Sequence, residues 1–164
     1  AATAVWEAFY GNAAAARQKV ATALDLAGGR DVNYAAAFAL VLSDDVARSR
    51  ALADDLAKNF PEDTSVQYLY LPTLRALFSL NTPTPDAAAA IQALQTASRY
   101  DLAPGRIGYI GRFGGLYPIY VRGLAYLAAG QPDVRYPLDG ARQAHEDRQG
   151  RRTTGRLVLV PQTG

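Results

Sequence analysis

The sequence predicts an all-α fold made of short helices arranged in pairs. Apolar residues recur at helical spacing through residues 1–130, and tight breaks rich in glycine, proline or acidic residues separate the apolar runs. No stretch of residues 1–130 shows the alternation expected of a strand. The length of 164 residues is sufficient for one domain with a substantial core.

Seven helices are predicted in chain order, each ended by a recognisable break. Asn12 is expected to cap the second helix and Asp31 the third, because short polar side chains accept hydrogen bonds from the first free N–H groups. Pro61 ends the fourth, since proline lacks the N–H that would continue the helix. The helices are expected within residues 2–10, 12–26, 31–42, 46–60, 64–80, 86–98 and 116–131.

The spacing of the breaks indicates a repeat of helix pairs. Gly28 and Pro61, which follow the second helix of two successive pairs, lie 33 residues apart, close to the period of about 34 residues typical of tetratricopeptide repeats. The expected second-helix pattern of small and large residues appears in three pairs: Ala16/Val20/Ala23, Ala90/Leu94/Ala97 and, in degenerate form, Ser49/Ala53/Leu56.

The stretch YVRGLAYLAAGQ resembles the first-helix signature of the same repeat. The resemblance implies that Gly123 lies at a close helix–helix contact with no room for a Cβ, that Tyr126 fills the space one turn later, and that Gly130 makes the turn that follows. The fold expected for residues 1–131 is therefore about three and a half tetratricopeptide-like helix pairs, stacked as a short right-handed superhelix. A generic helical bundle is the alternative.

A longer resemblance covers residues 4–131. The runs RALADDLAKNFPEDTSVQYLYLPTLRALFSLN, AAIQALQTASRYDL and LYPIYVRGLAYLAAGQ are similar to the C-terminal helical-repeat region of bacterial eukaryotic-like serine/threonine protein kinases. Similar regions also follow winged-helix DNA-binding domains in some bacterial regulators. The resemblance implies a sensor or scaffold region attached to a kinase or regulator, whereas the compartment stays open.

The last part of the chain, residues 132–164, departs from this pattern. Arg135, Pro137 and Gly140 stand where a further helix would need small packing residues, so this segment is predicted to be an irregular basic tail. The net charge of +2 comes from it, because residues 1–130 carry equal numbers of basic and acidic side chains. The chain contains no methionine, which indicates a fragment of a larger protein.

No catalytic, cofactor or metal site is predicted. Cysteine is absent, which excludes thiol chemistry and zinc–thiolate sites, and His145 is the only histidine. Kinase motifs are also absent. The glycine-rich loop Gly105–Gly115, with Arg106 and Arg112, could cradle an anion in a small helical enzyme, but it fits no phosphate-loop spacing. A loop between helices is the favoured interpretation.

The function predicted from these observations is non-catalytic binding of a protein or peptide, or self-association. In a tetratricopeptide arrangement the first helices line a concave surface, where aromatic residues serve either as anchors for a peptide or as buried packing. No nucleic-acid contact through the body and no membrane contact are expected. The residues predicted for this groove are Tyr34, Phe38, Leu74, Phe78, Tyr120 and Leu124.

Overall fold

The computed structural model describes residues 1–100, 116–130, 134–137, 140–149 and 157–160. Within the first two ranges the regular structure is entirely helical, which confirms the predicted fold class for the described part of the body. The helices begin and end within a few residues of the predicted breaks. Their bounds are α1 Ala2–Phe9, α2 Ala13–Leu26, α3 Arg30–Leu42, α4 Val46–Asn59, α5 Leu71–Leu80, α6 Ala87–Leu94 and α7 Tyr117–Ala128.

The turn before α5 is π-helical. It spans Val66–Tyr70, and the N–H of Leu71 donates to the carbonyl of Val66, five residues back. Pro72 follows directly; its ring cannot donate and would collide with the carbonyl four residues earlier in an ordinary helix. A wider turn ahead of Pro72 relieves that conflict and keeps the helix continuous from Thr64 to Leu80.

Two predicted helix caps differ from the structure. Asn12 occupies the cap position of α2, but its side-chain amide donates to Glu7 at 2.8 Å and makes no cap hydrogen bond. Gly29, with a φ of 133°, stands at the cap position of α3, so Asp31 lies inside the first turn. Its carboxylate is free to accept hydrogen bonds from other elements.

The helices form two sets, the first helices and the second helices of the pairs. Within and between these sets they contact one another in chain order. The first helix of each pair (α1, α3, α5 and then α7) packs against its own second helix where one is described, and against the next first helix. Each second helix also contacts the first helix of the next pair. Most positions of the second-helix pattern lie in these contacts. Ala23 is only partly buried, whereas the other positions are buried: Ala16, Val20, Ser49, Ala53, Leu56, Ala90, Leu94 and Ala97.

Five aromatic residues join the first helices to one another. The ring of Phe38 on α3 stacks on that of Tyr117 on α7, with centroids 4.3 Å apart, and Phe9 on α1 contacts both rings. Tyr34 of α3 stacks in parallel on Tyr70 at 3.9 Å. The first and last of the first helices, α1 and α7, therefore touch across a shared aromatic cluster.

The structure corrects the role predicted for Gly123. This residue is exposed in the middle of α7, and a Cβ built on it would meet no atom of the described residues within 4 Å. Close helix contact therefore does not explain the glycine. Tyr126 is partly buried, and Gly130 has a φ of +63° just after the helix, as a terminating turn requires.

The segment predicted to be irregular contains regular structure. Strand β1 spans Val134–Pro137, helix α8 spans Ala141–Gln149, and strand β2 spans Leu157–Val160. The two strands pair in parallel, with Val134 opposite Leu157. Strand β2 thus pairs with a strand 23 residues earlier in the chain, across a connecting helix, as parallel pairing needs.

Candidate functional site

A polar network joins the second and third helix pairs beside the aromatic cluster. Arg30 donates to Asp31 at 2.8 Å and to Asp63 at 2.7 Å, and the hydroxyl of Tyr70 donates to Asp31 at 2.8 Å. Asp63 also accepts from the N–H of Val66 at 3.0 Å, which is a helix cap. Every charged group in this network has a partner, so its role is to hold the two pairs together.

The surroundings of this network shift the pKa values of Asp63, Arg30 and Tyr70. Partial burial acts to raise the pKa of Asp63, but the hydrogen bonds from Val66 and Arg30 outweigh it and lower that pKa. Hydrogen bonds to Asp31 and Asp63 raise the pKa of Arg30. Burial and the bond to Asp31 raise the pKa of Tyr70. Each group keeps its ordinary neutral-pH form more firmly than in water, which suits a structural contact.

The phenols inside the cluster are poor acid–base groups. Tyr34 is fully buried, and burial raises its pKa well above the ordinary value. Burial likewise raises the pKa of Tyr117 to about 12. Neither hydroxyl can lose its proton near neutral pH, so the cluster offers no general base.

Most of the predicted groove residues lie in the core. Tyr34, Phe38 and Leu74 are completely buried, which corresponds to the packing alternative for these positions. Phe78 is 6 % exposed and Leu124 is partly buried against the core. The aromatic rings fill the space between the first helices, so a concave peptide groove at this place is not available. Tyr120 differs, since 42 % of its surface is exposed.

Tyr120 belongs to an exposed group that we call the α1–α7 aromatic patch. It consists of Trp6, Phe9, Tyr10, Leu116 and Tyr120, each between 41 % and 73 % exposed. The edge of one ring meets the face of the other between Phe9 and Tyr120 at 5.1 Å, and Trp6 stacks on Tyr10 at 6.4 Å. Exposed apolar groups of this kind mark interaction surfaces more often than isolated apolar residues do.

The fold explains why this patch forms. α1 has only eight residues, and its apolar residues extend around more of the helix than α2 and α3 cover. Ala4, Val5 and Ala8 are buried, which leaves the larger rings at the edge. Helical spacing places Trp6 and Phe9 on one face together with Val5, and the structure buries only Val5 of these three residues. The signal for an interface was the presence of three aromatic residues between positions 6 and 10, directly before Gly11.

Other predicted features carry no site in the described residues. The Gly105–Gly115 loop lies outside them. His145 is exposed on α8, with its Nε2 2.9 Å from the side-chain amide of Gln149. No group of three or more histidine or acidic side chains in the described ranges could hold a metal ion. No helix there has the length and apolar character needed to cross a bilayer.

Comparison with known proteins does not identify a family or a function for this chain. No protein-family model, curated protein or solved structure matches the chain.

Proposed function

We propose that this chain is a non-catalytic helical module that binds a protein or peptide, or a second copy of itself, through the α1–α7 aromatic patch. The observation that carries the proposal is the half-exposed cluster of three aromatic rings on α1 and one on α7. Tryptophan and tyrosine supply large contact areas with few rotatable bonds, and they are enriched where interfaces gain most of their affinity.

We also propose how the helix pairs are arranged. The helix pairs are tetratricopeptide-like units, wound so tightly that the first helices enclose aromatic side chains where other arrays leave a groove. Burial of the small residues in three second helices supports this interpretation, as does the chain-ordered contact between pairs. With the inner surface filled, binding moves to the edge of the array, where the rings of Trp6, Phe9 and Tyr10 are exposed.

The proposed setting is a bacterial signalling protein. The resemblance of residues 4–131 to the repeat region of serine/threonine kinases supports it, with winged-helix regulators as the second setting. In either case this chain would position or assemble the protein while another domain carries the activity. The coding sequence upstream of these residues tests the setting, because a kinase or winged-helix domain must be encoded there.

The binding role is tested by comparing the chain with the double variant Trp6→Ala/Tyr10→Ala. Sedimentation equilibrium measures self-association, and selection from a displayed random-peptide library, with the double variant as counter-selection, measures peptide binding. We expect at least one of these to depend on the patch, with about a tenfold loss of affinity in the variant.

The matched control is Leu26→Ala, which removes an exposed apolar side chain at the end of α2, outside the patch. It should leave binding unchanged. A monomer at all concentrations that also yields no patch-dependent peptide would contradict the proposal, and so would equal losses in the variant and the control.

A further inference from the structure

A concave site lies between α4 and α5, away from the residues of the patch. Its volume is about 180 Å³, which corresponds to roughly six water molecules at about 30 Å³ each. A space of this size can hold one side chain. The cleft is lined by Arg50, Ala53, Asp54, Ala57, Leu71, Arg75 and Phe78.

Arg50 is held in this cleft without a carboxylate partner. Its guanidinium lies over the ring of Phe78, 4.4 Å from the centroid, and the ring face attracts the cation. Phe78 is itself nearly buried and therefore a rigid support. The planar N–H groups of Arg50 are not used in any ion pair or hydrogen bond within the described part of the chain. These N–H groups can therefore donate hydrogen bonds to a ligand without breaking an existing bond.

Arg75 supplies a second cation from the opposite wall. It is exposed on α5, and its side chain likewise has no carboxylate partner among the described residues. Asp54, one turn after Arg50 on α4, is the only acid that lines the cleft, so the lining carries two positive charges and one negative. The remaining lining residues are apolar.

We propose that this cleft binds one carboxylate side chain of an acidic peptide segment, between Arg50 and Arg75. The guanidinium group matches a carboxylate in shape and forms two parallel charge-assisted hydrogen bonds with it. The net single positive charge of the lining complements one carboxylate. A single carboxylate neutralises that charge, whereas a phosphate dianion would leave one excess negative charge in the cleft. The alanine and leucine residues between the arginines suit an aliphatic neighbour of the acidic residue in the peptide.

This site goes beyond the proposed patch, since different helices build it and charge governs it. The probe is a blocked pentapeptide, Ala-Leu-Glu-Leu-Ala, compared with the same peptide carrying glutamine and with inorganic phosphate. The readout is the side-chain Nε–Hε resonances of the arginines in the whole chain. We expect saturable shifts at Arg50 and Arg75 with the glutamate peptide, and about tenfold weaker binding of the glutamine peptide.

Substitutions in the cleft provide the decisive comparison. Arg75→Gln, which leaves the Arg50–Phe78 contact intact, should weaken binding of the glutamate peptide by about three- to tenfold. Asp54→Asn should strengthen it, because it removes the one repelling charge. Arg99→Gln is the matched control: it removes an exposed arginine outside the cleft and should change nothing.

The proposal is overturned if both peptides bind equally, if phosphate binds as tightly as the glutamate peptide, or if Arg99→Gln weakens binding as much as Arg75→Gln does. Absence of saturable shifts would overturn it as well. The double variant Trp6→Ala/Tyr10→Ala should bind the glutamate peptide normally. Failure at the patch and failure at the cleft are therefore separate results.

Discussion

Gly123 and Gly130 differ in backbone conformation and in surroundings, although both belong to one repeat-like signature. Gly123 is helical and exposed, so alanine there should raise the free energy of unfolding by about 0.5–1 kcal/mol through helix propensity. Gly130 has a φ of +63°, where a Cβ is strained, so alanine there should lower it by about 1–2 kcal/mol. Urea unfolding of the two variants measures both effects.

The two substitutions are chemically identical, and each serves as the control for the other. A destabilised Gly123→Ala variant would contradict the exposed position of this residue and would restore the close contact that the repeat signature implies. If Gly130→Ala leaves the free energy of unfolding unchanged, the chain after α7 can form a turn that needs no positive φ at this position.

At the level of elements, the start of the helix at 64–80 depends on Asp63. Its carboxylate caps the helix through Val66 and also pairs with Arg30. Asp63→Ala should cost about 1–2 kcal/mol at neutral pH, whereas Asp86→Ala, which removes the cap that α6 receives at Ala89, should cost about 1 kcal/mol. The difference between these two losses of stability measures what the Asp63–Arg30 pair contributes to the contact between the second and third helix pairs.

The stabilisation by Asp63 should depend on pH in a defined direction. Because folding lowers the pKa of Asp63, its contribution is complete above the unfolded value of about 3.9 and declines as the pH falls through the lower folded value. Chemical unfolding should show the same difference in stability between wild type and Asp63→Ala at pH 7 and pH 5, and a smaller difference at pH 3. A gap that closes already at pH 5 would contradict the lowered pKa.

For the whole molecule, the contact between α1 and α7 distinguishes a closed array from an open one. Phe9 touches Phe38, Tyr117 and Tyr120. Phe9→Ala should therefore cost about 2 kcal/mol, less than a fully buried phenylalanine, and should speed hydrogen exchange in α7 as well as in α3. Val20→Ala, on α2, is the control. If α7 exchanges no faster in Phe9→Ala than in Val20→Ala, the array is open.

The body should also be stable without the last segment. All residues of the described core cluster lie between Ala4 and Ala125. Deletion of residues 132–164 should therefore shift the melting temperature by less than about 4 °C, the change that 1 kcal/mol produces in a domain of this size. A larger loss would mean that β1, α8 and β2 complete the core.

The sequence by itself determined, to within a few residues, where the helices of residues 1–130 begin and end. Glycine, proline and acidic residues act within a few positions along the chain, so Pro61 could be recognised as the end of a helix before any contact was known. The same holds for the buried stripe of each second helix, since the positions of Ala16, Ala53 and Leu94 follow from helical spacing alone.

The tertiary structure decided which of these faces are covered. Helical spacing shows that Tyr34 and Phe38 share a face, but not that Tyr70 and Tyr117 would arrive to bury it. The same limit applies to Gly123, whose signature implied a neighbour that the described fold does not place there. The surroundings of a face depend on contacts between residues distant in sequence, and local patterns carry no information about those contacts.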